Sequence, residues 1–292
     1  MKAAIYSRIM EEEQQKDLQI FFDELARQNI EPVIYQYFFD QINGRINLPP
    51  ETQTFILSEQ LTEEIEFIVS LGGDGTLLDT ITLVRDKNIS IMGVNFGRLG
   101  FLASIGRSEM ESAVRAIAKR SYVIDKRTMI HLDADMPMFG NVPYGLNEFS
   151  VHKRDTDPMI KIHTYLNGEF LNTYWADGLI VATPTGSTGY SLSCGGPIVF
   201  PESGSFVITP VAPHNLNVRS IIVPDDNIIS FEVESRSDNI ICALDSRREI
   251  VGKNVQLAVR KESFEVSLVR LSENNFLQTL HNKLTWGLDK RN

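Results

Sequence analysis

The chain predicts an α/β domain built on a parallel sheet, followed by an all-β, sandwich-like domain and a C-terminal helix that packs back on the first domain. Three observations carry this. Up to Ser121, apolar runs of strand length alternate with segments of helical periodicity; beyond it, short strand-like runs follow one another; after Ser272 helical spacing returns. The expected divisions are 1–121 as an α/β domain, 122–271 as a β-rich domain and 272–292 as the returning tail.

In the first part, Ala3 to Tyr6 reads as a strand, and Leu18, Phe21, Phe22, Leu25 and Ala26 repeat at helical spacing behind it. Pro32 to Tyr37, Ile65 to Leu71 and Ile89 to Val94 are further strands. A helix follows Thr76, with Leu77, Leu78, Ile81 and Val84 on one side. Another helix starts at a capping box of Ser108 and Glu111 and buries Met110, Ala113, Val114, Ile117 and Ala118. Gln41 to Gln53, polar and carrying Gly44 and Pro49-Pro50, reads as a mobile loop. Such a βα rhythm implies a sheet covered on both faces with ligands at the carboxyl ends of its strands.

The second part reads as strands at Thr128 to Leu132, Leu146 to Val151, Ile160 to Leu166, Phe170 to Tyr174, Leu179 to Thr183, Phe206 to Val211, Ile228 to Val233, Ile240 to Leu244 and Phe264 to Leu271. Asn167-Gly168 between two of these is a strong hairpin signal, because both residues tolerate the positive φ of a tight turn. In the tail, Phe276, Leu277, Leu280 and Leu284 fall on one helical side.

The composition is that of a soluble globular protein, and no apolar run approaches the roughly 18–20 residues of a membrane span. A formal charge of −10 argues against a nucleic-acid or anionic-membrane partner, which would need clustered Lys and Arg. Cys194 and Cys242 lack the spacing of a zinc site or a disulfide framework and read as reduced thiols, in keeping with a cytoplasmic protein.

The most informative segment is Leu71-Gly-Gly-Asp-Gly-Thr-Leu-Leu-Asp79, which places Asp74 inside a three-glycine turn between strand and helix. Glycines let a ligand approach the backbone, and a helix start offers unpaired N–H groups, so the amides of Gly72 to Gly75 suit phosphate. The structural alternative is a tight connection in which Asp74 is merely the N-cap. Far along the chain, Asp177 to Pro197 holds five glycines and more hydroxyls than a structural loop needs. Walker A and Gly-x-Gly-x-x-Gly patterns are absent. His152-Lys153-Arg154-Asp155 superficially matches a protein-kinase catalytic loop whose other parts are missing, and reads as a charged strand end. Gly186-Ser187-Thr188-Gly189 lacks the spacing of a hydrolase elbow, and His214 reads as a structural hydrogen-bonder.

Gly72-Gly73-Asp74-Gly75-Thr76, the run from Gly93 to Phe101, Asn147-Glu148 and the block from Asp177 to Pro197 resemble NAD kinases, in that order and over nearly the whole chain. The first motif is shared with diacylglycerol, sphingosine and phosphofructokinases; Thr183-Pro-Thr-Gly-Ser-Thr-Gly-Tyr190 is much narrower. The resemblance implies phosphoryl transfer from ATP to the 2′-hydroxyl of the adenosine ribose of NAD, giving NADP. A ribose hydroxyl needs a carboxylate to accept its proton, and Asp74 is the candidate base. Gly72, Gly73, Gly75 and Thr76 are the candidate phosphate ligands.

By the same resemblance, Gly75, Phe101, Asn147, Glu148, Asp177, Thr188, Gly189, Tyr190, Ser191, Leu192, Ser193, Ala212 and Arg247 contact NAD, and Ala212 and the region around Asp245 to Arg247 approach it partly from a neighbouring subunit. A divalent metal, Mg²⁺, arrives with ATP and no dedicated metal cage is expected; the protein is a homodimer or homotetramer. Asn147 and Glu148 are neighbours, so both reach one ligand only if the strand ends or bulges there. Gly189 stands where many members have alanine, and Arg247 where several have an uncharged side chain or histidine. Arg247 is read either as a phosphate partner or as a surface arginine, and Trp175 as a stacking platform or core filler. Two further readings stay open: a lipid or sugar kinase sharing only the glycine-rich turn, and a catalytically silent dinucleotide sensor.

Overall fold

The computed structural model describes residues 1–97, 100–154, 157–271 and 276–284. Arg98 and Leu99 of the Gly93 to Phe101 motif, Asp155, and the tail residues 272–275 and 285–292 lie outside them. The chain divides into two compact units: Met1–Lys126 with the chain from Val266 onward, and Arg127–Glu265.

The first unit runs β1 (Lys2–Tyr6), α1 (Gln15–Arg27), β2 (Glu31–Tyr35), α2 (Gln36–Ile42), β3 (Gln53–Phe55), β4 (Ile65–Leu71), α3 (Asp74–Val84), β5 (Ser90–Asn95), β6 (Ile105–Gly106), α4 (Met110–Ala118) and β7 (Val123–Arg127). The second runs β8 (Ile130–Ala134), β9 (Tyr144–Gly145), β10 (Glu148–His152), β11 (Ile160–Leu166), β12 (Glu169–Ala176), β13 (Gly178–Ala182), α5 (Tyr190–Ser193), β14 (Ser205–Val211), β15 (Ile221–Pro224), β16 (Ile229–Glu234), β17 (Asn239–Leu244), β18 (Arg247–Gly252) and β19 (Leu257–Lys261). The chain then returns to the first unit with β20 (Val266–Arg270) and α6 (Phe276–Leu284).

The first sheet has the order β3-β2-β1-β4-β5-β20-β7, with β6 beside β5. Its pairs β1–β2, β1–β4, β4–β5 and β5–β20 are parallel, as the βα rhythm requires. Leu18, Phe21, Phe22 and Leu25 of α1 share one core with Met110, Ala113, Val114 and Ile117 of α4 and with Ile5, Val69 and Val94 of the strands. The α3 side chain Leu77 instead lies against Gly93, where a Cβ would approach its Cδ1 to 2.7 Å.

Several local expectations are corrected. The strand expected to reach Tyr37 stops at Tyr35 and turns into α2. A 3-10 turn, Arg107–Glu109, leads into α4, and its capping carboxylate is Glu109, which accepts the Gly106 N–H at 2.8 Å, in place of a Ser108–Glu111 pair. Ala26 is exposed and Glu24 takes the buried place, bonded to Arg27, Gln28 and Arg115. The supposed mobile loop is pinned to α1: Gln19 accepts from the Asn47 N–H at 2.7 Å, Gln15 donates to the Arg45 carbonyl, and Ile42 and Ile46 are buried. The β-rich part does not extend to residue 271, because β20 pairs with β5 of the first sheet. In α6, Leu280 is buried while Leu277 is exposed.

The second unit is a sandwich. Two six-stranded antiparallel sheets, β15-β14-β13-β10-β17-β18 and β12-β11-β16-β19-β8-β9, share one core that includes Phe149, Val151, Leu179 and Phe206 of the first and Ile162, Phe231, Leu257 and Val259 of the second. Asn167 and Gly168 turn β11 into β12 with φ of +51° and +82°, the two positive angles the hairpin signal demands. Strands β3, β6, β7, β9, β15, β18 and β19 lie outside those expected from sequence; β18, Arg-Arg-Glu-Ile-Val-Gly, is charged because it is a sheet edge.

Candidate active site

In the first unit, Gly72, Gly73, Asp74, Gly75 and Thr76 stand at the carboxyl end of β4, where it enters α3. Gly72 has φ +152°, and a Cβ there would sit 2.8 Å from that of Thr76, so only glycine makes this turn. Its N–H donates to the Val94 carbonyl at 2.8 Å, so its part is conformational. Thr76 N–H returns to Gly73 O at 3.0 Å, and Thr76 itself is buried. Helix geometry leaves the N–H groups of Asp74 and Gly75 without intrahelical acceptors. The amide cradle is therefore narrower than the four residues expected from sequence.

The N-cap position belongs to Gly73, and Asp74 is the first helical residue. Its carboxylate faces the segment after Gly100: Oδ2 accepts from Phe101 N–H at 2.9 Å, and Oδ1 from Leu102 and Ala103 N–H at 3.1 and 2.9 Å. A Cβ on Gly100 would overlap this carboxylate. A carboxylate offers about four acceptor positions, so Oδ2 keeps one beyond its amide. Phe101 thus touches the site first through its backbone.

Arg8, which belongs to no motif in the sequence, lies against the same turn. It donates to Gly75 O at 3.1 Å and grips both oxygens of Asp79, which also accepts the Tyr6 hydroxyl. Burial and the Asp79 charge push the Tyr6 phenol well above its ordinary range. The available signal was positional: Arg8 follows β1 directly, and β1 is the neighbour of β4, so both strand ends open on the same edge of the sheet.

In the second unit, Asn147 and Glu148 lie where β10 begins. Asp245, in the two-residue turn joining β17 to β18, accepts the N–H groups of Leu146, Asn147 and Glu148 at 2.8, 2.7 and 3.2 Å and donates its own N–H to Glu148 O at 3.0 Å. The Glu148 Oε2 is buried and lies 3.2 Å from where a Gly189 Cβ would be. Burial, then the Asp245 charge, pushes the Glu148 carboxyl up to about 8. Burial raises Asp245 as well, but three amides and Arg247 oppose it, so the proton of this pair resides on Glu148.

The hydroxyl-rich block divides into bracing and outward groups, which corrects the expectation that so many hydroxyls exceed structural need. Thr183 donates to Leu146 O, Ser187 to Pro184 O while accepting from Val199 N–H, Ser191 pairs with Thr209, and Thr185 accepts from Arg127. All four are buried. Gly186 passes so close that a Cβ would overlap the Asn147 carbonyl. Thr188 turns back to Thr185 O, Leu192 is partly buried, and Tyr190 and Ser193 are exposed.

The Tyr190 ring lies 5.7 Å from that of His152, whose pKa burial and Arg248 lower. Asp177 pairs with Lys153 at 3.4 Å. Ala212 is exposed with φ +45°, a strained angle for alanine. Arg247 donates to the carbonyls of Val142 and Tyr144 at 2.5 Å and lies over the Phe139 ring, so its guanidinium braces the chain before Asn147. Trp175 stacks on His214, ring centroids 4.3 Å apart.

A fixed carboxylate in a glycine-rich turn at the end of a parallel strand, in a chain that also carries a hydroxyl-lined β-sandwich, defines a phosphotransferase of the Gly-Gly-Asp-Gly-Thr class. Comparison with known proteins narrows this. Residues 9–122 match the ATP-NAD kinase N-terminal domain and residues 146–271 the ATP-NAD kinase C-terminal domain. The NAD kinase of Cytophaga hutchinsonii is 48% identical over 99% of both chains, and that of Flavobacterium psychrophilum 42% identical over all of both. Among solved structures, yeast NADH kinase complexed with NADH superposes with a TM-score of 0.88 at 20% identity, covering 99% of this chain and 88% of that one. An Archaeoglobus fulgidus NAD kinase in complex with ATP gives 0.76 at 25% identity, covering 98% and 99%. The chain belongs to the ATP-NAD kinase family.

Proposed function

We propose that this protein transfers the terminal phosphoryl group of ATP to the 2′-hydroxyl of the adenosine ribose of NAD, with Asp74 accepting the hydroxyl proton. The observation that carries the assignment of the base is the three-amide grip on Asp74: it fixes the carboxylate and leaves Oδ2 an acceptor position for a substrate hydroxyl. The N–H groups of Asp74 and Gly75 and the nearby Arg8 are the phosphate-holding groups of the first unit. Asn147, Glu148, Asp177, Thr188, Tyr190 and Ser193 are the NAD-facing groups of the second. At neutral pH Glu148 presents a protonated carboxyl and so donates a hydrogen bond to the dinucleotide.

The ATP chemistry of the family implies a divalent metal, and Mg²⁺ is the ion we assign. Mg²⁺ keeps much of its coordination on substrate phosphates and water, so it would be carried on the ATP phosphates held at the turn, while the open Oδ2 position of Asp74 serves the hydroxyl. When bound, it neutralises phosphate charge. We further assign a homo-oligomer in the cytoplasm; Cys194 and Cys242 are free thiols, and among the described residues no helix is long and apolar enough to cross a membrane. An assay supplying NAD and Mg-ATP and coupled to a strictly NADP-dependent glucose-6-phosphate dehydrogenase tests the reading. Signal is expected from wild type and not from a folded Asp74→Asn protein. An inactive wild type that still binds NAD by calorimetry would leave a dinucleotide sensor.

A further inference from the structure

We infer that Asp245 is a positioning residue for NAD: it folds the chain entering strand β10 out of strand geometry so that the adjacent side chains of Asn147 and Glu148 serve one ligand. The inference rests on the NAD reading above and adds a device to it. In a regular strand successive side chains alternate faces and successive N–H groups alternate edges, so neighbours cannot share a target. Here three successive N–H groups, those of Leu146, Asn147 and Glu148, converge on one carboxylate, which a strand cannot do and a backbone nest can. The Asn147 carbonyl is held by the Thr183 N–H at 2.8 Å, and that of Glu148 by the Asp245 N–H, so the whole pair is clamped by backbone contacts.

Two further features belong to the clamp. Gly145 leaves room for it: a Cβ there would come within 2.8 Å of the Asp245 Oδ1 and 2.9 Å of its Cγ and Oδ2. Asp245 takes φ +52°, which aspartate tolerates better than most residues, and this turns its side chain back across the sheet toward β10. Asn147 and Glu148 are thus placed, through their backbone, by a residue 98 and 97 positions away.

The test compares wild type with Asp245→Asn, which keeps the shape but offers one acceptor in place of two, and with Gly145→Ala, which displaces the carboxylate while keeping it. KM for NAD and for ATP, kcat, melting temperature and hydrogen exchange of the 146–148 amides are read together. Expected in both variants is a rise in the KM for NAD of about tenfold or more, with KM for ATP unchanged and the three amides exchanging faster. A folded variant with faster amides and an unchanged KM for NAD overturns the inference. So does an equal rise in both KM values with a lowered melting temperature, which is the mark of a general structural role. If wild type makes no NADP, the proposed function fails instead. The amide exchange still reports whether Asp245 holds the segment, and unchanged exchange overturns the inference there too.

Discussion

Asp74 and Asp245 make the same bonds and benefit opposite ends of them. Each carboxylate takes three successive backbone N–H groups, two on Oδ1 and one on Oδ2, and each gripped segment follows a glycine whose Cβ would strike the carboxylate. In the first unit the gripped residues, Phe101 to Ala103, act as the clamp and Asp74 is the group held in place. In the second, Asp245 is the clamp and Asn147 and Glu148 are held. The bond pattern alone therefore does not tell which partner works; what else each partner faces does. Asp74 stands at a phosphate-suited helix start, whereas Asp245 faces a protonated carboxyl and backbone.

The comparison breaks most sharply at Asp74. Asp74→Asn removes the proton acceptor, and kcat is expected to fall by about 10²–10⁴-fold while calorimetry still detects NAD and ATP. Retained turnover would leave Asp74 with only the structural half of its role and make the two aspartates equivalents after all. Gly100→Ala leaves Asp74 chemically intact but forces its carboxylate off the three amides. A displacement of about an ångström costs roughly 10²-fold in rate, and here the loss is expected in kcat, in contrast to the KM effect of Gly145→Ala. Steady-state kinetics of the two alanine variants side by side would show whether the loss divides that way.

A third test uses the proton on Glu148. Its folded pKa is raised from the ordinary 4.5 to about 8, first by burial and then by Asp245. Within that window the folded chain holds a proton that the unfolded chain lacks. The stability contribution is thus complete below about 4.5 and is lost as pH rises toward 8, by up to about 1.4 kcal/mol per pH unit. Chemical denaturation from pH 5 to 9 should show this decline in wild type and a flatter curve in Glu148→Gln. Equal slopes would mean that Glu148 is ionised in the fold and that the two carboxylates share their site as anions.

The residues themselves make the setting of one of these aspartates visible and hide the bonds of the other for a physical reason. The Asp74 setting is local: the β4 run from Ile65 to Leu71 has the bounds expected of it, and the glycines follow at once. The Asn167-Gly168 turn is legible in the same way. The Asp245 setting is built from partners 97 to 99 residues away, and a charged hairpin turn gives no hint of them. The bracing bonds of Arg247 are hidden for that same reason, since its acceptors are carbonyls 103 and 105 positions distant. Composition hides roles as well. A serine that braces a loop and one that meets a ligand are the same letter, and only burial separates Ser187 and Ser191 from Ser193.

That last distinction carries the smallest expected effect. Ser187 is fully buried, donates to Pro184 O at 2.7 Å and accepts from Val199 N–H at 3.0 Å. Ser187→Ala strands the Val199 N–H in the interior, a cost of about 1–3 kcal/mol. Because the hydroxyl points into the loop, the loss is expected in urea denaturation, with KM for NAD and ATP unchanged. A raised KM for NAD without loss of stability would place Ser187 on the ligand side, and the block would then be a binding surface throughout instead of a braced loop with a few outward hydroxyls.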